Sequence, residues 1–407
     1  MSMTTDISGD DWVVSVDDHL IEPPRLWIDR MPARLREQSP QVVGRDGVDT
    51  WVFEGGRQTS VVDEFVACAG KKPGEFRQGP INYADMRPGF YDPVARVYDM
   101  DADGVLASLC FPTVSRIGGQ MFLMAQDKKL ALACLQAYND WVIDEWAGAA
   151  PGRLIPCVLL PYWDPARCAE EVQRTAAKGA KAVSWTENLS DLGLPSLHDR
   201  SGHWDPVLAA LNETRLVLSC HFGSSGRVYT TSADAPRTVS ATLVAMNLAA
   251  AMTDWIWSGK LQRFPNLRIA LAEGGIGWIP YILERLSSVY ERYRWAKDNE
   301  WTVDLMTGAI TPREMIEMSV DEPLALFHEH IFACFINDRH GSENIEKIGV
   351  DNVMIETDYP HSDGTFPHSR DNARRMTAHL TPENREKVLR LNALRVFNFA
   401  TPPTAGA

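Results

Sequence analysis

Asp17 and His19 stand two residues apart at the end of a short apolar run, Val13-Val14-Ser15-Val16. Strand residues two apart share a face, so an acid and an imidazole project together here while Asp18 points away. That is a metal-ligand pair lacking partners. Glu187, His221, Glu273 and Asp358 each close an apolar run elsewhere and could supply them. Carboxylates crowded at one place repel one another and are costly to bury unless a cation holds them. Two imidazoles with four carboxylates is the donor count of ferritin-like di-iron and di-manganese centres. Oxygen-rich donors with some imidazole suit iron or manganese, whereas a catalytic zinc more often has three histidines or a modified lysine. Lys181 sits at the start of its run, so Glu187 is the expected bridging group.

Other polar residues are weaker members of the set. Glu356 precedes Asp358 by two residues, on the same strand face one layer deeper, where it would orient a ligand. Asp338 closes another run and could hold water or substrate, and His361 follows the Asp358-Tyr-Pro turn. His328 and His330 form an HxH, but they precede a run and so belong to the opposite end of a strand. Cys220 adjoins His221 and faces the other way. Gly274, Gly275 and Gly277 are not a dinucleotide fingerprint; close approach of backbone to the metal site is the better reading. Trp51, Trp185 and Trp278 are the expected walls of an apolar substrate pocket, in a chain with thirteen tryptophans.

A scaffold that gathers these residues must bring many strand ends together. Eight apolar runs occur, at 13–19, 105–111, 153–161, 180–188, 215–223, 267–275, 331–338 and 352–360. Several are almost continuously apolar, as in parallel strands buried on both faces. Helix-like stretches lie between them, at 127–148, 164–178, 205–214 and 238–258. Alternation of this kind predicts an α/β fold, a (β/α)8 TIM-type barrel, whose catalytic groups sit at the C-terminal strand ends. A doubly wound open sheet is the alternative, but no Gly-rich phosphate loop follows the first run. Roughly 85 residues separate the first two runs, so an insertion at about 40–97, with a hairpin at 49–57, is expected to cap the barrel mouth. A second insertion, 281–329, carries an aromatic-basic helix suited to a ligand or a second subunit. Residues 1–400 read as one domain and 401–407 as a loose tail.

Composition narrows the function classes. A net charge of −14 argues against nucleic acid and anionic membranes. The N-terminus is polar and acidic, unlike a signal peptide, and no apolar stretch approaches a membrane span. Seven scattered cysteines without a CxxC pair fit reduced thiols in a cytoplasm.

The motifs SVDDHLIEPP, RLVLSCHFG, LRIALAEGGIGWIP, IETDYPHSDGTFPHS and NALRVFNF resemble the amidohydrolase superfamily, in the amidohydrolase-2 branch that includes aminocarboxymuconate-semialdehyde decarboxylase. The likeness spans Val13 to about Phe399. It implies metal ligands at Asp17 and His19, His221 and Asp358. Two departures stand out: the first ligand, often histidine, is Asp17, and Glu273 replaces a histidine common in the family's hydrolases and decarboxylases. The carboxylate-rich set is similar to the non-haem di-iron monooxygenase type of platensimycin and platencin biosynthesis. That likeness implies two Fe ions, O2-dependent hydroxylation of a hydrophobic, diterpenoid acyl-thioester substrate such as a CoA thioester, and an external ferredoxin or reductase. The alternative it leaves is a metal-dependent hydrolase or decarboxylase using metal-bound hydroxide, with Mn or one Zn. A homodimer is the expected assembly.

Overall fold

The computed structural model describes residues 11–293, 301–312 and 322–402. Its central sheet is parallel: β1 (Val13–Leu20), β2 (Val105–Pro112), β3 (Leu154–Ile155 and Cys157–Val158), β4 (Ala182–Thr186), β5 (Val217–His221), β6 (Ile269–Ala272), β7 (Ile331–Phe335) and β8 (Val353–Ile355). Each strand pairs with its neighbours in sequence, and β8 returns to pair with β1. The ring closes through β3. Its first half pairs with β2 and its second with β4, around Pro156. Proline has no N–H to give the ladder, but its carbonyl accepts from Lys181 and Ala182. The result is a (β/α)8 TIM-type barrel bearing an insertion, and the open-sheet alternative, which needs two free edges, is excluded.

Helices form where the amphipathic pattern predicts them. Lys128–Trp141 begins at Asp127, whose carboxylate accepts from the amides of Lys129 and Leu130. Pro165–Lys178 begins on Asp164 in the same way and stops at Gly179, whose φ of 108° ends the helix. Asp205–Thr214 precedes β5, and Ala245–Trp257 precedes β6. One expectation is corrected here: the helical stretch Arg237–Trp257 is long and apolar enough, by composition alone, to cross a membrane. Its second half packs Leu248, Met252, Trp255 and Ile256 into the layer between helices and barrel.

Side chains fill the barrel as two layers of one core. Val14, Val16, Ala107, Leu109, Phe111, Ala182, Val217, Ala272, Cys334 and Met354 pack inside the ring. Their neighbours along each strand pack outward against the helices. β1 carries a bulge: Ser15 aligns with Ser108 but Asp18 with Cys110, so one extra residue enters on β1. Val14 and Val16 face inward below that step, and Asp17 and His19 face the mouth above it.

The insertion folds as a three-stranded antiparallel sheet, Gln41–Arg45, Val48–Phe53 and Gln58–Ser60. It is stitched to the loop after β8. The amides of Cys68 and Ala69 donate to the carbonyl of Pro360, and the amide of Ser362 donates to that of Phe65. In the second insertion, helix Ile279–Tyr293 forms the first part of the expected aromatic-basic helix. The remainder of that expected helix and most of the tail lie outside the described residues.

Candidate metal centre

Four strand ends place their ionisable groups at one point in the barrel mouth. Nε2 of His19 lies 3.2 Å from Nε2 of His221. Oδ1 of Asp17 is 3.6 Å from each of these nitrogens, and Oδ1 of Asp358 is 3.4 Å from His19. Glu273 Oε2 is 2.9 Å from His221 Nε2. His361 stacks on His19 with ring centroids 3.6 Å apart, and its Nδ1 is 3.0 Å from Asp358 Oδ1. Phe111 floors the cluster, 5.0 Å from the His221 ring in an edge-on arrangement. Nδ1 of His221 lies 2.6 Å from the carbonyl of Phe222. It must carry a proton, so Nε2 is the nitrogen that faces the cluster; burial lowers His221, but Glu273 beside Nε2 outweighs it and draws the group up.

Backbone conformation aims two of these groups. Inward positions on β6 are Ala270 and Ala272, so simple alternation would turn Glu273 outward. Its φ of 60°, rare for a residue with a Cβ, swings it back to the mouth, and Asp358 is held similarly at 52°. Glu356 fixes the first of these turns, because its Oε2 accepts from the Glu273 amide at 3.0 Å. Burial, with Cys334 and that amide pulling the other way, pushes Glu356 up to about 7.

The donor chemistry fits a cation. All four carboxylate oxygens of Asp17 and Asp358 are buried without a hydrogen-bond donor among the described residues. His361 Nδ1 approaches Asp358 Oδ1 to 3.0 Å as an ion-pair contact. Burial, then Glu356, Glu273 and Asp358, holds Asp17 well above the usual carboxylate range. Burial, then the charges of His361 and His221, pushes His19 well down, which leaves it neutral and able to ligate. Donors about 2.1 Å from a shared cation stand about 3.0–3.4 Å from one another, close to the spacings here.

Glu187 departs from the expected bridging role. Inward positions on β4 are the even ones, so Trp185 and Glu187 project away from the barrel axis. Glu187 accepts from the Ser225 amide at 2.7 Å, the Ser225 hydroxyl at 2.9 Å, Asn247 Nδ2 at 3.2 Å and the Ser224 hydroxyl. Its oxygens are therefore engaged in anchoring the loop after β5. Trp185 is likewise not a pocket wall: it packs between Tyr162, Trp204 and Trp255. Trp278 is tied to the carbonyls of Gly274 and Gly275, and Trp51 lines a cavity of about 620 Å³ between the insertion and the segment after β2.

Asp338 is a cap, accepting from the amides of Ile276, Gly277 and Gly341 at 2.6–2.8 Å. The glycines around it answer to that carboxylate and to Leu248, not to the metal cluster: a Cβ on Gly277 would meet Asp338 at 3.0 Å, and one on Gly274 would meet Leu248 at 2.3 Å. His330 Nδ1 lies 2.8 Å from the carbonyl of Leu267, and His328 Nδ1 faces Asn352. Both are at the far end of the barrel.

Sequence reasoning missed Asp18, which does point away from the cluster but latches it. Its carboxylate accepts from Ser15 at 3.0 Å, Thr357 at 2.6 Å, the Tyr359 amide at 3.1 Å, and Ser108. Thr357 and Tyr359 flank Asp358, so Asp18 ties both ligand-bearing segments together. Its only sequence signal is its place between Asp17 and His19. Two cavities meet at the cluster. One of about 890 Å³ reaches His19 and His361 under segment 60–66 of the insertion. The other, about 1070 Å³, reaches His221, Glu273 and Asp358.

The amidohydrolase family model, of the amidohydrolase-2 type, matches residues 41–399. The chain belongs to that family. No curated protein matches it. An amidohydrolase from Mycobacterium avium subsp. paratuberculosis K-10 is similar in structure over 96% of this chain and 100% of its own, with 20% identity and a TM-score of 0.71. The 5-carboxyvanillate decarboxylase of Novosphingobium aromaticivorans DSM 12444, complexed with manganese and 4-hydroxy-3-methoxy-5-nitrobenzoic acid, is similar over 98% and 100%, with 18% identity and a TM-score of 0.61. The 2,6-dihydroxybenzoate decarboxylase from Rhizobium covers 95% and 98%, with 18% identity and a TM-score of 0.59.

These relatives overturn the di-iron monooxygenase expectation. They are amidohydrolases and decarboxylases, and the metal named with the metal-bound decarboxylases among the similar structures is manganese, not iron. O2-dependent hydroxylation and a place in antibiotic biosynthesis fall with it. The donor count misled because it included Glu187, which faces away.

Proposed function

We propose that this chain is a metal-dependent decarboxylase of hydroxylated aromatic acids. The observation that carries the reading is the cluster of buried oxygens on Asp17 and Asp358, without a hydrogen-bond donor among the described residues, set against the two imidazole nitrogens of His19 and His221. Glu273 lies beside them: its carboxylate is within 4.8 Å of ligand atoms of Asp17, His19 and His221, and of His19, Asp358 and His361. Those residues would hold a divalent cation, of the manganese class named with the structural relatives. Bound there, it supplies a Lewis acid that anchors a carboxylate and a neighbouring oxygen.

The chain's own residues do the rest. His361, stacked on His19, lines both cavities and supplies a ring against which an aromatic acid can pack. Glu273 is 16% exposed at its side chain and opens onto the larger cavity. It is the group placed to deliver a proton. The bond from ring carbon to carboxyl carbon breaks, CO2 leaves, and the electron pair left on the ring carbon takes that proton. Hydrolysis is the second reading, favoured by Glu273 itself: a carboxylate where relatives commonly place an imidazole could serve as base toward water. A cytoplasmic location belongs to the same proposal, supported by seven free, buried cysteines.

The test is the purified chain, stripped with chelator and reloaded with manganese, given a panel of hydroxybenzoates with and without O2. Equal CO2 release in air and under nitrogen, lost on chelation, is the expected result. Release of an alcohol or amine from ester and amide substrates, with no CO2 from any acid, would move the assignment to hydrolysis.

A further inference from the structure

The cavity beside His19 and His361 is larger than a single-ring acid needs. A water-sized group takes about 30 Å³ of condensed volume, so about 890 Å³ has room for on the order of thirty such groups. A hydroxybenzoate has about ten non-hydrogen atoms and would fill roughly a third of it. The surplus space is mostly apolar. Val62 and Val66 of the insertion and Val114, Ile117, Leu123 and Leu194 line it, alongside Asp63, Arg116 and Asp191. The second cavity, which reaches Glu273, is mixed: Arg237, Ser240 and Asn337 line it together with Phe65, Phe222 and Ile336. The cluster thus sits between a lobe with mostly apolar walls and a second one of mixed character.

The apolar lobe is a built surface. Glu22 is buried, and its carboxylate accepts from the amides of Val114 and Ser115 at 2.8 and 2.9 Å. That fixes the loop bearing one wall. Hydrogen bonds from Cys68, Ala69 and Ser362 to and from the loop after β8 fix the insertion that bears the other. Apolar walls held in this way, beside a polar reaction centre, are what selective recognition of an apolar group requires.

Building on the proposed decarboxylase reading, we infer that the substrate is an acid carrying a second apolar body, such as another ring or a branched alkyl group. The acid end meets the cluster and the apolar body fills the lobe under residues 60–66. Burying a phenyl group there strengthens binding about tenfold or more over the parent acid.

The experiment measures binding of salicylate and of its 3-, 4- and 5-phenyl derivatives to the manganese-loaded chain by calorimetry. At least one phenyl isomer should bind about tenfold more tightly than salicylate. Leu123→Trp and Leu194→Trp, which narrow the lobe from two sides, should each bring that ratio toward one, with circular dichroism and manganese content reporting that the variants are folded and loaded. If no phenyl isomer exceeds salicylate, or the ratio persists in both variants, the inference is overturned while the decarboxylase reading stands. If neither salicylate nor any derivative binds in a manganese-dependent way, the decarboxylase reading falls, and the inference with it.

Discussion

Buried carboxylates at this barrel mouth come in two kinds. Among the described residues, no hydrogen bond is donated to the four carboxylate oxygens of Asp17 and Asp358. Asp18 and Glu187 are almost as deeply buried, yet each is surrounded by donors: two serines, a threonine and an amide for Asp18, and two hydroxyls, an amide and Asn247 for Glu187. All four residues lie at strand ends, and all looked alike as residue types. What separates them is whether the protein itself satisfies the charge. A satisfied carboxylate builds structure, and an unsatisfied one waits for a cation.

Substitutions should behave differently on the two sides of that divide. The largest effect is expected from Asp358→Asn. Manganese affinity should fall by about 100-fold or more, since outer-shell changes alone cost 10–100-fold. The cation-free protein should meanwhile become more resistant to urea by ~1–2 kcal/mol, because one of several repelling charges is gone. Titration of metal and of denaturant on the same preparation checks both, and unaltered metal affinity would remove Asp358 from the ligand set.

Asp18→Asn comes next. An amide cannot accept from four donors, so the turn at 357–359 loosens. Manganese affinity is expected to drop roughly 10-fold, with ~1–3 kcal/mol lost in stability. A stability loss with metal affinity unmoved would make Asp18 a purely structural residue. Glu187→Ala sharpens the contrast further. It should cost about 2–3 kcal/mol by stranding its donors, while manganese per chain stays the same. Loss of metal in that variant would place Glu187 at the site after all.

The smallest effect concerns Asp103, a carboxylate outside the ligand set, whose Oδ1 accepts from the Ser369 amide at 2.7 Å. Burial, partly opposed by Ser369, raises it from 3.8 to about 6. The folded chain then binds its proton more tightly than the unfolded chain does. Its contribution to stability therefore falls as pH rises from about 4 to about 6 and stays low above that. Asp103→Asn should flatten this slope in urea midpoints measured across that range. An unchanged slope would show that other buried acids set it.

The alternating apolar runs determined the barrel, because strand and helix periodicities are local properties of the chain. They also placed Asp17, His19, His221, Glu273 and Asp358 at strand ends. Three matters were decided only in the folded molecule. Glu187 and Trp185 face outward because side chains alternate with a period of two, and an apolar run does not say which residue starts the count. Asp17 and His19 reach the mouth through a one-residue bulge set by the pairing of β1 with β2. Glu273 arrives by a left-handed turn held by Glu356, a residue eighty-three positions away. Sequence specifies which groups are present and roughly at what height in the barrel. Which of them meet, and which remain without donors, depends on contacts between strands distant in sequence, and those distances exist only once the ring has closed.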